Sequence, residues 1–184
     1  MTVISLEQTA PAPGRVGDNT EEILGRAASS LAGGADIVVF PELANTGYVT
    51  DPAEVARDAQ PLDGAFVDAI IGLAAANQGL VASGFCERDG DDFYNSVVVV
   101  GPDGPLLHYR KLHLFGVEVA GLRYAGSEHE APGAEPVLTT TADGVEVGLS
   151  ICYDVRFPEL YRGLTMRGAR ILTYHRVIDL HVEG

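Results

Sequence analysis

Val147-Gly148-Leu149-Ser150-Ile151-Cys152-Tyr153-Asp154-Val155-Arg156-Phe157-Pro158-Glu159-Leu160 is the stretch on which the reading of this chain turns. An apolar run leads straight into one cysteine. A polar break follows, and then a Pro-Glu pair of the kind that opens a helix. This is the layout of a nucleophile held at the end of a strand, with a helix N-terminus close behind it. A thiol gains from such a place, because the thiolate is the reactive species and positive potential favours it.

Working outward from Cys152, the hydrophobic pattern gives a mixed α/β chain. Thr2 to Leu6 reads as a first strand. Ala10-Pro11-Ala12-Pro13-Gly14 breaks it. Asn19 or Thr20 is placed to cap a helix whose apolar stripe is Ile23, Leu24, Ala27, Ala28 and Leu31, with Gly33-Gly34 as its stop. Ile37-Val38-Val39-Phe40 is a short continuous apolar run, as in a strand buried on both faces. A second helix follows Asp63-Gly64 and ends at Asn77-Gln78-Gly79. Strand resumes from Leu80 towards Cys86. Asn95 to Val100, the turn Pro102-Asp103-Gly104 and Leu106 to Tyr109 read as a hairpin. Gly116 to Gly133 reads as a long surface loop. Val137 to Thr141, Asp143-Gly144 and Val145 to Ile151 read as another hairpin, followed by a helix over Pro158 to Arg167 and a strand from Ala169 to Leu172. The order is βαβαβ, then antiparallel hairpins, then helix and strand.

The 184 residues are enough for one domain with a real core, and 46% apolar with 21% charged residues is ordinary for a globular protein. A formal net charge of −14 argues against a nucleic-acid or anionic-membrane partner. With only Cys86 and Cys152, neither a disulfide framework nor a cysteine zinc site is expected. The first residues carry no basic segment followed by a long apolar one, and no window approaches the ~18 apolar residues of a membrane span. A cytoplasmic setting is the expectation. Thr173-Tyr174-His175-Arg176 and the residues after it lack turn chemistry, which reads as a chain incomplete at its C-terminus.

Three ionisable groups sit where strands emerge: Glu42 after Pro41, Lys111 after Tyr109-Arg110, and Cys152. A carboxylate can take a thiol proton, and an ammonium can hold the oxyanion formed when sulfur attacks a carbonyl or nitrile carbon. The Tyr153 backbone N–H can serve the same oxygen. Each residue alone has a plainer reading. A strand-end cysteine is more often a small buried hydrophobe, and Glu42 and Lys111 are more often solvated. His113 reads as packed or capping, Cys86 as core, and Asp154 with Arg156 as a local ion pair. Spacing alone does not lift the trio above these readings.

Three blocks do. Phe40-Pro41-Glu42-Leu43 with Gly47-Tyr48, Tyr109 to Phe115, and Cys152 to Leu160 resemble the signatures of the nitrilase (carbon–nitrogen hydrolase) superfamily. Gln8-Thr9-Ala10-Pro11, Gly34-Ala35-Asp36 and Tyr94-Asn95-Ser96 are smaller echoes, and the blocks run in family order from about Val3 to about Leu172. The resemblance implies one α-β-β-α sandwich domain over residues 1–184. It implies Glu42 as general base, Lys111 as oxyanion stabiliser and Cys152 as nucleophile. Tyr48 and Glu128 are the pocket candidates. It implies no metal or organic cofactor, a small-molecule amide as substrate, and a homo-oligomer if the full fold is present. The wording around Cys152 is similar to the ω-amidase and deaminated-glutathione-amidase branch, which points to a 2-oxo acid ω-amide. β-Ureidopropionase-like and aliphatic amidase-like members share much of that wording.

Two departures are visible. The second glutamate common in that branch falls at Gly126 here, and Glu128 lies two residues along. Family members also continue past Leu172 with roughly a third of the fold, where this chain runs into Thr173-Tyr174-His175-Arg176. These departures carry the alternative expectation, a truncated, non-catalytic homologue that acts by binding.

Overall fold

The computed structural model describes residues 1–119, 122–140 and 144–176. Its first sheet runs β1 (Ile4–Leu6), β2 (Ile37–Val39), β3 (Leu80–Asp89), β4 (Asp92–Gly101) and β5 (Gly104–Arg110) in spatial order. β1, β2 and β3 are parallel; β4 and β5 return antiparallel. The helices between the parallel strands, α1 (Val16–Ala32) and α3 (Ala65–Asn77), cover one face. Side chains alternate across a strand, and the two faces follow from that alternation. Val38, Phe40, Val81, Phe85, Val98 and Val100 pack with Ile23, Ala27, Phe66 and Ile70 of the helices. Ile37, Val39, Ala82, Val97 and Val99 turn the other way and meet Val147, Leu149 and Ile151.

Val147 belongs to the second sheet, ordered β10 (Ile171–Leu172), β9 (Glu146–Gly148) and β8 (Leu138–Thr140), and Leu149 and Ile151 continue the chain beyond β9. Gly148 faces away from the first sheet, and a Cβ there would touch Leu164 of α4 (Pro158–Met166). Leu160, Leu164 and Ala169 close that outer layer. The result is helix, sheet, sheet, helix, the α-β-β-α layering expected from the sequence.

Several local expectations are corrected. α1 begins before Asn19, and Asn19 caps nothing. It is buried and bonds the Ala12 backbone on both sides and the Asn45 carbonyl. The sequence reading passed over α2 (Pro52–Asp58), although Asp51 caps it by accepting from Ala53 N and Glu54 N, and Pro52 opens it. The expected loop at 116–133 contains a hairpin, β6 (Gly116–Val119) with β7 (Leu122–Ala125). The turn expected at Asp143 and the chain after Arg176 lie outside the described residues. Among the described residues, no helix is long and apolar enough to cross a membrane.

Candidate active site

Glu42, Lys111 and Cys152 meet at the C-terminal ends of β2 and β9, where the two sheets face each other. Glu42 follows β2 in a tight loop. Leu43 has φ +50°, Gly84 N–H donates to Pro41 O at 3.2 Å, and Ala44 N–H donates to Gly84 O at 3.0 Å. The loop lies directly on β3 at Gly84. A Cβ on Gly84 would sit 2.7 Å from Glu42 Cα and would overlap Pro41 O. Only a glycine lets Glu42 approach the sheet this closely.

Glu42 is buried, as is Lys111 just past β5. Lys111 Nζ lies 2.7 Å from Glu42 Oε1, and Asn95 Nδ2 donates to the same oxygen at 2.7 Å. Lys111 is placed by its N–H on Asn95 O, 2.9 Å, and by its own carbonyl, which accepts Gly133 N–H at 2.8 Å. Burial would lower the lysine pKa, but the Glu42 carboxylate beside it outweighs that and holds it above the ordinary value. The ammonium charge is therefore fixed.

Cys152 is half-buried, with φ +44° at the start of a short 3-10 turn, Cys152–Arg156. A non-glycine residue held in this region is strained, and such strain collects at functional sites. Asp154 holds the turn from beneath. It accepts Ile151 N–H at 2.9 Å, Tyr109 O–H at 2.7 Å, His113 N–H at 3.0 Å, and contacts His113 Nδ1 at 2.8 Å. His113 stacks on Phe157, with ring centroids 3.6 Å apart. The expected Asp154–Arg156 pair is thus replaced by a buried hub that joins β5 to the cysteine turn. The Cys152 thiol hydrogen-bonds Glu42. Burial first, and the Glu42 charge second, push its pKa up to about 11, while Lys111 pulls it back. At neutral pH the sulfur is a thiol with a carboxylate at hand.

Glu42, Lys111 and Cys152 come together; the pocket candidates do so less. Tyr48 packs with Leu43, Val55, Ala59 and Cys86. Glu128 is exposed, and Gly126 packs against the Phe115 backbone, where a Cβ would lie 3.0 Å from Phe115 O. The carboxyl that reaches the cluster is Glu130, which sequence reasoning missed. Its segment is stitched down by Glu130 N–H on Gly126 O and by Ala131 N–H on Phe93 O, each 2.8 Å. Burial, together with the charge of Glu42, raises the Glu130 pKa to about 7 against the opposing pull of Lys111. No periodicity marks Glu130 in the sequence. Its one signal is an acid three residues before a glycine that must fit tightly, since a Cβ on Gly133 would overlap Arg110 O. Cys86 is core, with burial raising its pKa to about 12. Among the described residues no group of three His, Cys, Asp or Glu side chains is placed to hold a metal ion.

A family model, carbon-nitrogen hydrolase, matches residues 2–183. The chain belongs to the carbon-nitrogen hydrolase family. It is 36% identical over 169 residues to an (R)-stereoselective amidase of a Pseudomonas species, covering 92% of this chain and 58% of that protein. It is 37% identical over 145 residues to an omega-amidase of Danio rerio, covering 77% and 51%. Both relatives carry amidase names, and both belong with this chain to the nitrilase superfamily. A solved amidase from Nesterenkonia sp. AN1, whose active-site cysteine carries acrylamide by Michael addition, superposes with a TM-score of 0.82 at 24% identity, covering 96% of this chain and 67% of that one. That likeness is one of fold. The chain thus spans about half the length of the curated relatives it matches.

Proposed function

We propose that this chain carries the reacting centre of an amidase that splits a small carboxylic amide into acid and ammonia through a thioester on Cys152. The observation that carries the reading is the buried contact of Glu42 with both Lys111 and Cys152. The thiol is protonated at rest, so attack needs a base. Cys152 Sγ bonds the amide carbon as Glu42 takes the thiol proton. The carbonyl π pair moves to oxygen, where the Lys111 ammonium and the Tyr153 N–H stabilise it. The Cys152 N–H is already committed to His175 O at 2.9 Å, which leaves the role to the next amide. Collapse breaks the C–N bond, Glu42 returns the proton to nitrogen, and ammonia leaves. Water, deprotonated by Glu42, then releases the acid and restores the thiol.

Glu130, whose charge couples to Lys111 and Glu42, is the carboxyl proposed to serve where Gly126 offers none. The non-catalytic alternative loses part of its motive by this. A 2-oxo acid ω-amide is the proposed substrate. The parallel bridge Ile151↔His175 places Arg176 beside Cys152, and its guanidinium, bonded to Tyr174, offers a cation to a substrate carboxylate. The test is ammonia release from 2-oxoglutaramate and from an uncharged amide, with Cys152→Ala as control. Release that depends on Cys152 and favours the anionic amide supports the reading. Equal background from both proteins defeats it.

A further inference from the structure

The two reacting segments come from different sheets. Glu42 follows β2 of the first, and Cys152 follows β9 of the second. Their contact depends on whatever fixes one sheet end against the other. His175 joins them. It is 1% exposed. Its backbone continues the second sheet, with His175 N–H on Ser150 O at 3.0 Å and Cys152 N–H on His175 O at 2.9 Å. Its ring crosses to the first sheet, with Nδ1 2.7 Å from Phe40 O, two residues before Glu42. A carbonyl only accepts, so Nδ1 carries the proton. Nε2, the acceptor nitrogen, lies 3.1 Å from Thr173 Oγ1, a hydroxyl whose one proton Gly148 O also faces at 3.3 Å. Burial holds the ring neutral, with its pKa down at about 4.

We propose that His175 is a positioning residue for the amide hydrolysis proposed above, on which this inference rests: its Nδ1–H clamps the Phe40 carbonyl, and with it Pro41-Glu42, against the Ile151-Cys152 strand. The His175 ring donates to the residue that leads into the base, and the His175 backbone carbonyl accepts from the amide of the nucleophile. Removing the donor frees the Glu42 loop to drift from the sulfur, and a displacement near 1 Å costs on the order of a hundredfold in rate.

Asparagine places its amide where Nδ1 lies; glutamine places it at Nε2, facing Thr173. The experiment compares wild type, His175→Asn, His175→Gln and His175→Leu in the full chain. It reads the second-order rate of Cys152 alkylation by iodoacetamide at pH 7, with Cys86 as buried control, then kcat and KM for amide hydrolysis, and the melting curve. H175L and H175Q are expected to lose about tenfold or more in alkylation rate and in kcat, with KM within about twofold, while H175N stays within about threefold of wild type. Should H175L fail to fold, the asparagine–glutamine pair decides. Equal rates in that pair, or an H175L that folds and keeps wild-type rates, overturn the proposal. Alkylation needs no turnover. A wild type that alkylates in this pattern yet releases no ammonia defeats the amidase reading and leaves the clamp standing.

Discussion

The family-like blocks around Glu42, Lys111 and Cys152 singled them out where strand ends alone did not, and such blocks are a sequence pattern. Glu130 and His175 leave none. Glu130 is set by loop hydrogen bonds to Gly126 and Phe93, and His175 by a contact across 135 positions of chain. Such placements are products of the closed fold. They give two predictions at this scale. If Glu130 works in its protonated form, its pKa of about 7 sets a falling limb: activity present below pH ~7 is lost as pH rises through it. The pH–rate profile of Glu130→Gln, which cannot ionise, keeps its activity across that limb; an unchanged limb assigns it to another group. Gly84→Ala forces a Cβ into the Glu42 loop. It should cost about 1–3 kcal/mol by urea unfolding and slow Cys152 alkylation in parallel. Loss of stability without slower alkylation would mean that the loop moves without moving Glu42.

Among the elements, β3, β4 and β5 carry a second polar cluster on the helix-covered face. Buried Glu87 accepts from Ser96 and Arg110 and contacts His108 Nε2 at 2.7 Å. Burial alone would raise its pKa, but these partners outweigh it and bring it down to about 2. A depressed carboxylate contributes stability that is full above its unfolded value of about 4.3 and is lost as pH falls towards 2. Glu87→Gln should therefore be weaker than wild type by about 3 kcal/mol at pH 7 and lose less on acidification. Urea melts at pH 7 and pH 3 read both quantities, and parallel pH dependence in the two proteins would contradict the assignment. His175 acts in the same direction. Held neutral with a pKa of about 4, it contributes stability above the unfolded histidine value of about 6.5 that fades as pH falls between the two. Elements with continuous hydrophobic runs were legible, β2, β3 and β4 above all. α2 was not, because its seven residues hold too few apolar positions to show a period, although Asp51-Pro52 signalled its start.

For the molecule as a whole, the order of elements spoke only for a mixed α/β chain, and the α-β-β-α layering was legible through the resemblance of the three blocks to the family. The second sheet is the thinner one. Among the described residues β10 pairs only with β9, and no described strand lies along its other edge. An uncovered strand edge recruits other chains. The isolated chain should self-associate in sedimentation velocity at micromolar concentration, and a monodisperse monomer would count against this. The central claim is that one acid, one amine and one thiol, gathered from two sheets, cut a carbon–nitrogen bond through sulfur. Acid-quenched mass spectrometry of the chain during turnover of 2-oxoglutaramate tests it most directly. A mass increase equal to the acyl group, mapped to the Cys152 peptide and absent from Cys152→Ala, is the expected result. Ammonia release with no acyl mass on Cys152, or at the same rate in Cys152→Ala, would contradict it.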